Sequence, residues 1–282
     1  MTKEQRNRKI AAFLSDKLIR IFMLLTVLIC VFPFVYMLII SFMNTQSMKL
    51  TLEGIRNADW TIEHYISLFS GNSNWGKYLL HSTIITLYAC AVTLVLSAMG
   101  AYAFEKLRFA GRDFIYKCYL CTMMVSFYAI MISVYTIVRK LGLLNTYTGM
   151  VIPCFSAYGV IMLRAFVKGI PNDLLEAASI DGCTEARRFI SVVIPLMKPA
   201  LISLAIHTFF STWGGFLWPM IVNNGDKITA VQALAGYNNT IDTINYGRAM
   251  AASTIVFLPP FILYLILQKQ FVEGIAVSGI KG

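Results

Sequence analysis

Six stretches of this chain, residues 21–42, 78–104, 118–138, 141–163, 199–224 and 249–268, contain no Asp, Glu, Lys or Arg. Each is long enough to cross the roughly 30 Å hydrocarbon core of a bilayer as α-helix, since about 20 residues suffice at about 1.5 Å of rise per residue. A water-soluble globule lacks the polar residues to clothe six such runs. Composition agrees: 57% of the 282 residues are apolar and 13% are charged, against about 45–50% and about 25% in ordinary soluble domains. The same numbers exclude a disordered chain. The reading is therefore a single all-α membrane domain covering residues 1–282, with six transmembrane helices at about 19–42, 78–104, 116–138, 143–164, 199–223 and 249–269. The first run could be mistaken for a signal peptide, but it is 22 residues long and lacks a small-x-small cleavage site, so it is expected to remain as a helix.

The net charge of +10 arises from 24 Lys and Arg against 14 Asp and Glu. Counting basic residues by segment, the N-terminus, the second and fourth connections and the C-terminus hold 17, and the alternate connections hold 7. By the excess of Lys and Arg in cytoplasmic loops, the chain is expected to be a multi-pass membrane protein with both termini in the cytoplasm. Topology thus accounts for the positive charge, and no basic face remains for nucleic acid.

Several short motifs fail on inspection. Gly71-Asn72-Ser73-Asn74-Trp75-Gly76-Lys77-Tyr78 nearly spells the phosphate-binding loop. It lacks the final small hydroxyl and a preceding strand, and the expected topology puts it on the outer face. There is no metalloprotease or nucleophile-elbow motif and no intramembrane carboxylate pair, so no catalytic residue is expected. His81 and His207 are single histidines read as packing residues. Cys118 and Cys121 form an isolated pair without the second pair a zinc site requires; no metal site is expected.

The fourth connection, about residues 164–198, is too polar for lipid yet punctuated like ordered helix. Asp173 with Glu176 three residues on has capping-box spacing, predicting a short helix from Asp173. Leu174, Leu175 and Ala178 would form its apolar edge. Gly182 suits the left-handed residue that ends it, and Thr184 would cap a second helix running to Pro195 and Pro199. The expected shape is an L of two helices at the membrane surface.

Within this loop, Glu176-Ala177-Ala178-Ser179-Ile180-Asp181-Gly182, followed after nine residues by Val192-Val193-Ile194-Pro195, resembles the EAA loop of ABC importer membrane subunits, E-A-A-x-x-x-G-x₉-I-x-L-P. Val192 and Ile194 are conservative departures. The form E-A-A-x-I-D-G with Pro195 and Pro199 behind it is similar to the carbohydrate permeases of the maltose-type (MalG-like) branch. Ala101-Tyr102-Ala103-Phe104, Leu141-Gly142-Leu143, Phe216-Leu217-Trp218-Pro219 and Phe271-Val272 with Gly274 extend the resemblance over most of the chain from Tyr65 onward. At the C-terminus, Ala276-Val277-Ser278 departs from the glycine-rich tail usual in the family.

The resemblance implies a coupling loop at residues 170–198, with Asp173, Leu174, Leu175, Glu176, Ala177, Ala178, Asp181, Gly182 and Pro195 contacting a separate ATPase. It also implies a second homologous permease completing a heterodimeric pore, two ATPase subunits that bind ATP and Mg, and an extracytoplasmic sugar-binding protein touching the connection near residues 223–247. No cofactor is expected on this chain. The cargo implied is a sugar or oligosaccharide; a polyol, glycerol phosphate or uronic-acid oligosaccharide is the alternative. Trp213, Trp218 and Asn223 are substrate-path candidates, because aromatic faces and planar amides suit sugars; the enrichment of Trp at membrane interfaces, with the substrate held mostly by the partner permease, is the stronger reading. A secondary transporter would be expected to carry intramembrane charges or broken helices.

Overall fold

The computed structural model describes residues 3–44, 56–70, 74–223, 225–236 and 245–279. Among the described residues every regular element is helical, and extended backbone pairs once, at an isolated bridge between Met43 and Trp60. In chain order the helices are α1 (Lys3–Ser41), α2 (Glu63–Phe69), α3 (Trp75–Lys106), α4 (Arg112–Thr122), α5 (Phe127–Lys140), α6 (Tyr147–Val151, continued as 3₁₀ over Ile152–Cys154) and α7 (Ala157–Lys168). There follow α8 (Asn172–Ile180), α9 (Glu185–Arg188), α10 (Lys198–Trp213), α11 (Leu217–Val222), α12 (Ala230–Gly236) and α13 (Tyr246–Gly279). Residues 1–2, 45–55, 71–73, 224, 237–244 and 280–282 lie outside the described set, so the first three residues of the near-phosphate loop, part of the connection near residues 223–247 and the extreme C-terminus are among the features not described.

Three of the six expected spans form as continuous helices: Asp16–Ser41, Trp75–Lys106 and Tyr246–Gln268. The other three do not. The third span is α4 and α5 bent by 105°, and the fourth is the α6 segment Tyr147–Cys154 and α7 bent by 53°. The fifth stops at Trp213 and restarts at Leu217 as α11. An uncharged run sets the solvent a segment prefers but leaves its hydrogen-bond ladder free to break. The breaks fall at residues that release the ladder: Ser126 and Ser156, which precede α5 and α7 in extended conformation, and the pair Gly214-Gly215.

The chain forms two compact units. In the first, residues 1–73 with 237–255, the end of α1 turns a tight corner into α2. The Thr61 N–H donates to Phe42 O at 2.8 Å, and the Asn44 N–H donates to Asp59 O at 3.1 Å. The Ser41 and Tyr65 hydroxyls lie 2.7 Å apart, and His64 Nε2 lies 3.2 Å from Met43 O. The start of α13 reaches this corner because residue 247 is glycine: a Cβ there would stand 2.2 Å from Met43 O. From Leu18 through Val35 the apolar side chains of α1 are exposed, as expected of a helix solvated by lipid.

The second unit, residues 74–236 with 256–282, is built on α3, packed by α7 and α10. One side of α3 buries Ser82, Thr86, Ala89, Thr93, Ser97 and Ala101, a column of small residues at nearly four-residue spacing that lets neighbouring helices close in. The crossing with α7 is tight. A Cβ on Gly159 would stand 2.3 Å from Ser97 Oγ, and one on Gly100 would stand 3.1 Å from Val160.

Between α7 and α10 the polar connection folds as an L. α8 begins at Asn172 after Pro171, whose φ of −58° and ψ of 137° lead into the first turn, with no side-chain cap. The expected capping box is therefore corrected: Asp173 stands second in the helix, where it favours the positive helix end by charge, and Glu176 is too far along to close a box. Of the expected apolar edge, Leu175 is buried and Ala178 half-buried, but Leu174 is exposed. At the other end Gly182 adopts φ +76°. The Gly182 N–H donates to Ser179 O, and the Cys183 N–H donates to Ala178 O at 3.0 Å, the paired bonds of a Schellman stop. Thr184 Oγ1 accepts from the Arg187 N–H and caps α9. α9 passes into a π-helical turn, Phe189–Val193, where the Ile194 N–H donates to Phe189 O five residues back. Pro195 follows within the helical segment Ile194–Leu196; the wider π ring precedes a residue that has no N–H to give and whose ring crowds the preceding turn. The helix thus runs through Pro195, and the 78° bend falls before Lys198-Pro199.

Candidate coupling surface and central cavity

α8 carries two faces. Leu175 enters a buried cluster with Ala98, Tyr102, Leu163, Val167, Val193 and Met197, drawn from α3, α7 and the strap leading to α10. The opposite face is open: Asp173, Leu174, Glu176, Ala177, Ile180 and Asp181 are exposed, Ile180 at 87%. Leu174 and Ile180 thus stand exposed among the acids of this face. Gly182 and Pro195 are also exposed; they shape the connection from outside its packed side.

The L is held by polar ties to the C-terminal end of α3. Lys106 Nζ donates to Ile170 O at 2.6 Å and to Asn172 Oδ1 at 2.8 Å, fixing the entry to α8. The Tyr102 O–H donates to the Glu185 carboxylate, which also pairs with Arg188. The Tyr102 ring lies 5.2 Å from that of Phe189. One turn away, Arg164 pairs with Glu105 at 2.7 Å and lies 3.8 Å over the Tyr116 ring. The segment that carries the expected coupling residues is thus tied to three spans, with Leu175 the residue among them that enters the shared buried cluster. Nothing local marks Lys106, Glu105 or Arg164 for this task, since in sequence they are loop-flanking charges about sixty residues apart.

A cavity of about 360 Å³ opens inside the second unit, within the size range of small-molecule sites. All three broken spans border it: Phe127 and Tyr128 after the first break, Cys154 and Ser156 at the second, Gly215 and Phe216 at the third. Irregular backbone at membrane depth is tolerated where it is enclosed by protein or lines a cavity. Broken helices also occur in secondary transporters, but here none of the described lining residues is Asp, Glu, Lys or Arg.

The three substrate-path candidates separate. Trp213 and Trp218 both line the cavity, but each indole N–H is committed, to Val256 O at 3.1 Å and to Gly149 O at 3.1 Å. Trp213 stacks on Phe209, and Trp218 meets Phe127 edge to face. They are packed walls. Asn223 lies away from the cavity lining and organises a turn, its Oδ1 accepting from the N–H groups of Gly225 and Lys227. His81 Nδ1 lies 2.8 Å from Tyr147 Oη, a packed and bonded histidine. His207 is different: it is exposed, stands on the cavity wall and lies ring to ring against Tyr158, centroids 4.4 Å apart.

Residues 93–277, which include the connection at residues 170–198 and most of the cavity wall, match the family described as binding-protein-dependent transport system inner membrane component. This chain belongs to that family. The permease is 33% identical over 228 residues to the arabinooligosaccharides transport system permease protein AraQ of Bacillus subtilis, covering 79% of each chain. It is 31% identical over 234 residues to the diacetylchitobiose uptake system permease protein DasC of Streptomyces coelicolor, covering 79% of this chain and 82% of that one. Its fold is similar to a chain in the crystal structure of a bacterial ABC transporter involved in the import of the acidic polysaccharide alginate. That match has a TM-score of 0.78 and 22% identity, over 95% of the permease and 98% of the other chain. The permease is thus a multi-pass inner-membrane subunit of an ABC importer, with the expected all-α architecture.

Proposed function

We propose that this permease forms half of a heterodimeric pore importing a sugar or oligosaccharide, driven by ATP hydrolysed on two separate subunits that dock on α8. The observation that carries the reading is the build of α8: an exposed face of acids and apolar residues on a helix whose other face is locked by Leu175 and Lys106 into the membrane unit. A push on such a helix reaches α3, α7 and α10 as displacement instead of being absorbed by a loose loop, the requirement for a rigid-body switch between inward-open and outward-open states. ATP and Mg belong to the partner ATPases, and no cofactor is assigned to this chain.

The excess of basic residues in alternate connections supports placing α8 and both termini in the cytoplasm. The outer loops, including the Asn223 turn, then face the binding protein that the family's description requires. Sugar as cargo rests on relatives named for arabinooligosaccharides and diacetylchitobiose. Within the pore, Trp213 and Trp218 serve as cavity walls, and the chain acts as one transmembrane permease domain.

The test is co-purification of the tagged permease from mild detergent with its co-expressed partners. Wild type is expected to retain the ATPase and the second permease, and Glu176→Lys combined with Gly182→Val to lose the ATPase while retaining the second permease. A wild-type chain that purifies alone as a stable monomer, or a variant that holds the ATPase fully, defeats the reading.

A further inference from the structure

The cavity's wall chemistry separates the cargo classes that the family resemblance leaves open. We propose that the cavity bordered by the three helix breaks is a binding site for an uncharged glycosyl unit, read by the contacting rings of His207 and Tyr158, and that it rejects uronates and phosphate esters. The inference rests on the sugar-import reading and narrows it.

Hydroxyls line the wall, among them Thr86, Thr93, Ser211 and Thr212, and no described lining residue carries a fixed charge. A carboxylate or phosphate entering this space would lose its hydration without meeting a counter-charge. Such a neutral, hydroxyl-bearing lining matches a sugar ring, whose hydroxyls both give and accept.

His207 supplies the directed contact. Its flank rests on Tyr158, which is 37% exposed, and its ring nitrogens have no hydrogen-bond partner among the described residues. A neutral imidazole has one donor and one acceptor nitrogen, enough to bridge two adjacent sugar hydroxyls. The aromatic face of Tyr158 offers the apolar surface that the C–H side of a sugar requires.

Trp213 and Trp218 line the same cavity and make the test direct. The permease, co-purified with its partner subunits in lipid nanodiscs, is titrated with arabinotriose, lactose, trigalacturonate and glycerol 3-phosphate while tryptophan emission is followed; uptake of each compound is measured in proteoliposomes supplied with the binding protein. A neutral saccharide is expected to shift emission saturably and both anions to fail. His207→Ala is expected to weaken the neutral ligand roughly tenfold, the value of one or two hydrogen bonds, and His207→Gln to restore most of it. His207→Lys is expected to admit trigalacturonate, a gain that a packing role would not produce. Trigalacturonate binding wild type as well as arabinotriose does, or His207→Ala binding unchanged, overturns the proposal and leaves sugar import standing. No response to any saccharide in emission or uptake overturns sugar import itself, and the proposal with it.

Discussion

At Gly182 the backbone turns with φ +76° and an added Cβ would meet nothing within 4 Å, so a side chain there is opposed by conformation alone. The left-handed region costs a non-glycine residue about 1–2 kcal/mol, and a β-branched one fits it worst. Gly182→Val is therefore expected to undo the stop of α8 and abolish sugar-stimulated ATPase activity in the assembled complex, with membrane insertion intact. Normal stimulation in that variant would contradict the role given to the turn. Gly159 poses the opposite case, since its φ is ordinary but a Cβ would strike Ser97 Oγ at 2.3 Å. Gly159→Ala is expected to force α3 and α7 apart at a cost of about 1–3 kcal/mol, typical of overpacking. This is visible as a lower unfolding temperature in detergent, with partial recovery when Ser97→Gly is added. An unchanged temperature would mean the crossing is looser than described.

Among the elements, α8 depends on a tie from another helix. Lys106→Ala removes the donor to Ile170 O and Asn172 Oδ1, leaving Leu175 as the main anchor of the entry to α8. The expected result is a several-fold loss of ATPase stimulation with the ATPase still bound, because the docking face remains while its connection to α3 is slack. Release of the ATPase by this variant would show that Lys106 shapes the docking face itself. The L was legible in sequence because it is made from local signals: polarity between apolar runs, Gly182 at a helix end and Thr184 at a helix start. Asp173 misled because capping-box spacing is a local signal, and the turn at Pro171 placed the N-cap two residues earlier. α1, α3 and α13 were legible from hydropathy, but the bends in the other spans were not. Hydropathy reports the surrounding solvent, and a Ser or Gly-Gly inside an apolar run is tolerated both in a straight helix and at a break. The cavity was invisible for the same reason, and His207, passed over as a packing residue, gained its significance from Tyr158 about fifty residues away.

For the whole molecule the orientation across the bilayer is open to a direct check. With the six native cysteines, all free thiols, replaced, a cysteine at Lys140 or at Asp226, both exposed, is expected to react with a membrane-impermeant maleimide in intact cells. A cysteine at exposed Ser179 is expected to react only after the membrane is opened. Labelling of Ser179 from outside would invert the topology and remove α8 from any cytosolic ATPase. The path from that helix to the cavity passes through the π turn at Phe189–Val193, and this turn has a mechanical meaning. It winds one more residue into its ring than α-helix would, so the lever between the docking helix and α10 stores a spare residue. Rewinding to α would release about 1.5 Å of length and swivel one arm of the lever by about 100° against the other. Because the Tyr102 O–H donates to the Glu185 carboxylate just ahead of this turn, the end of the lever nearer α8 is tied to α3, and the spare residue lies on the side leading to α10.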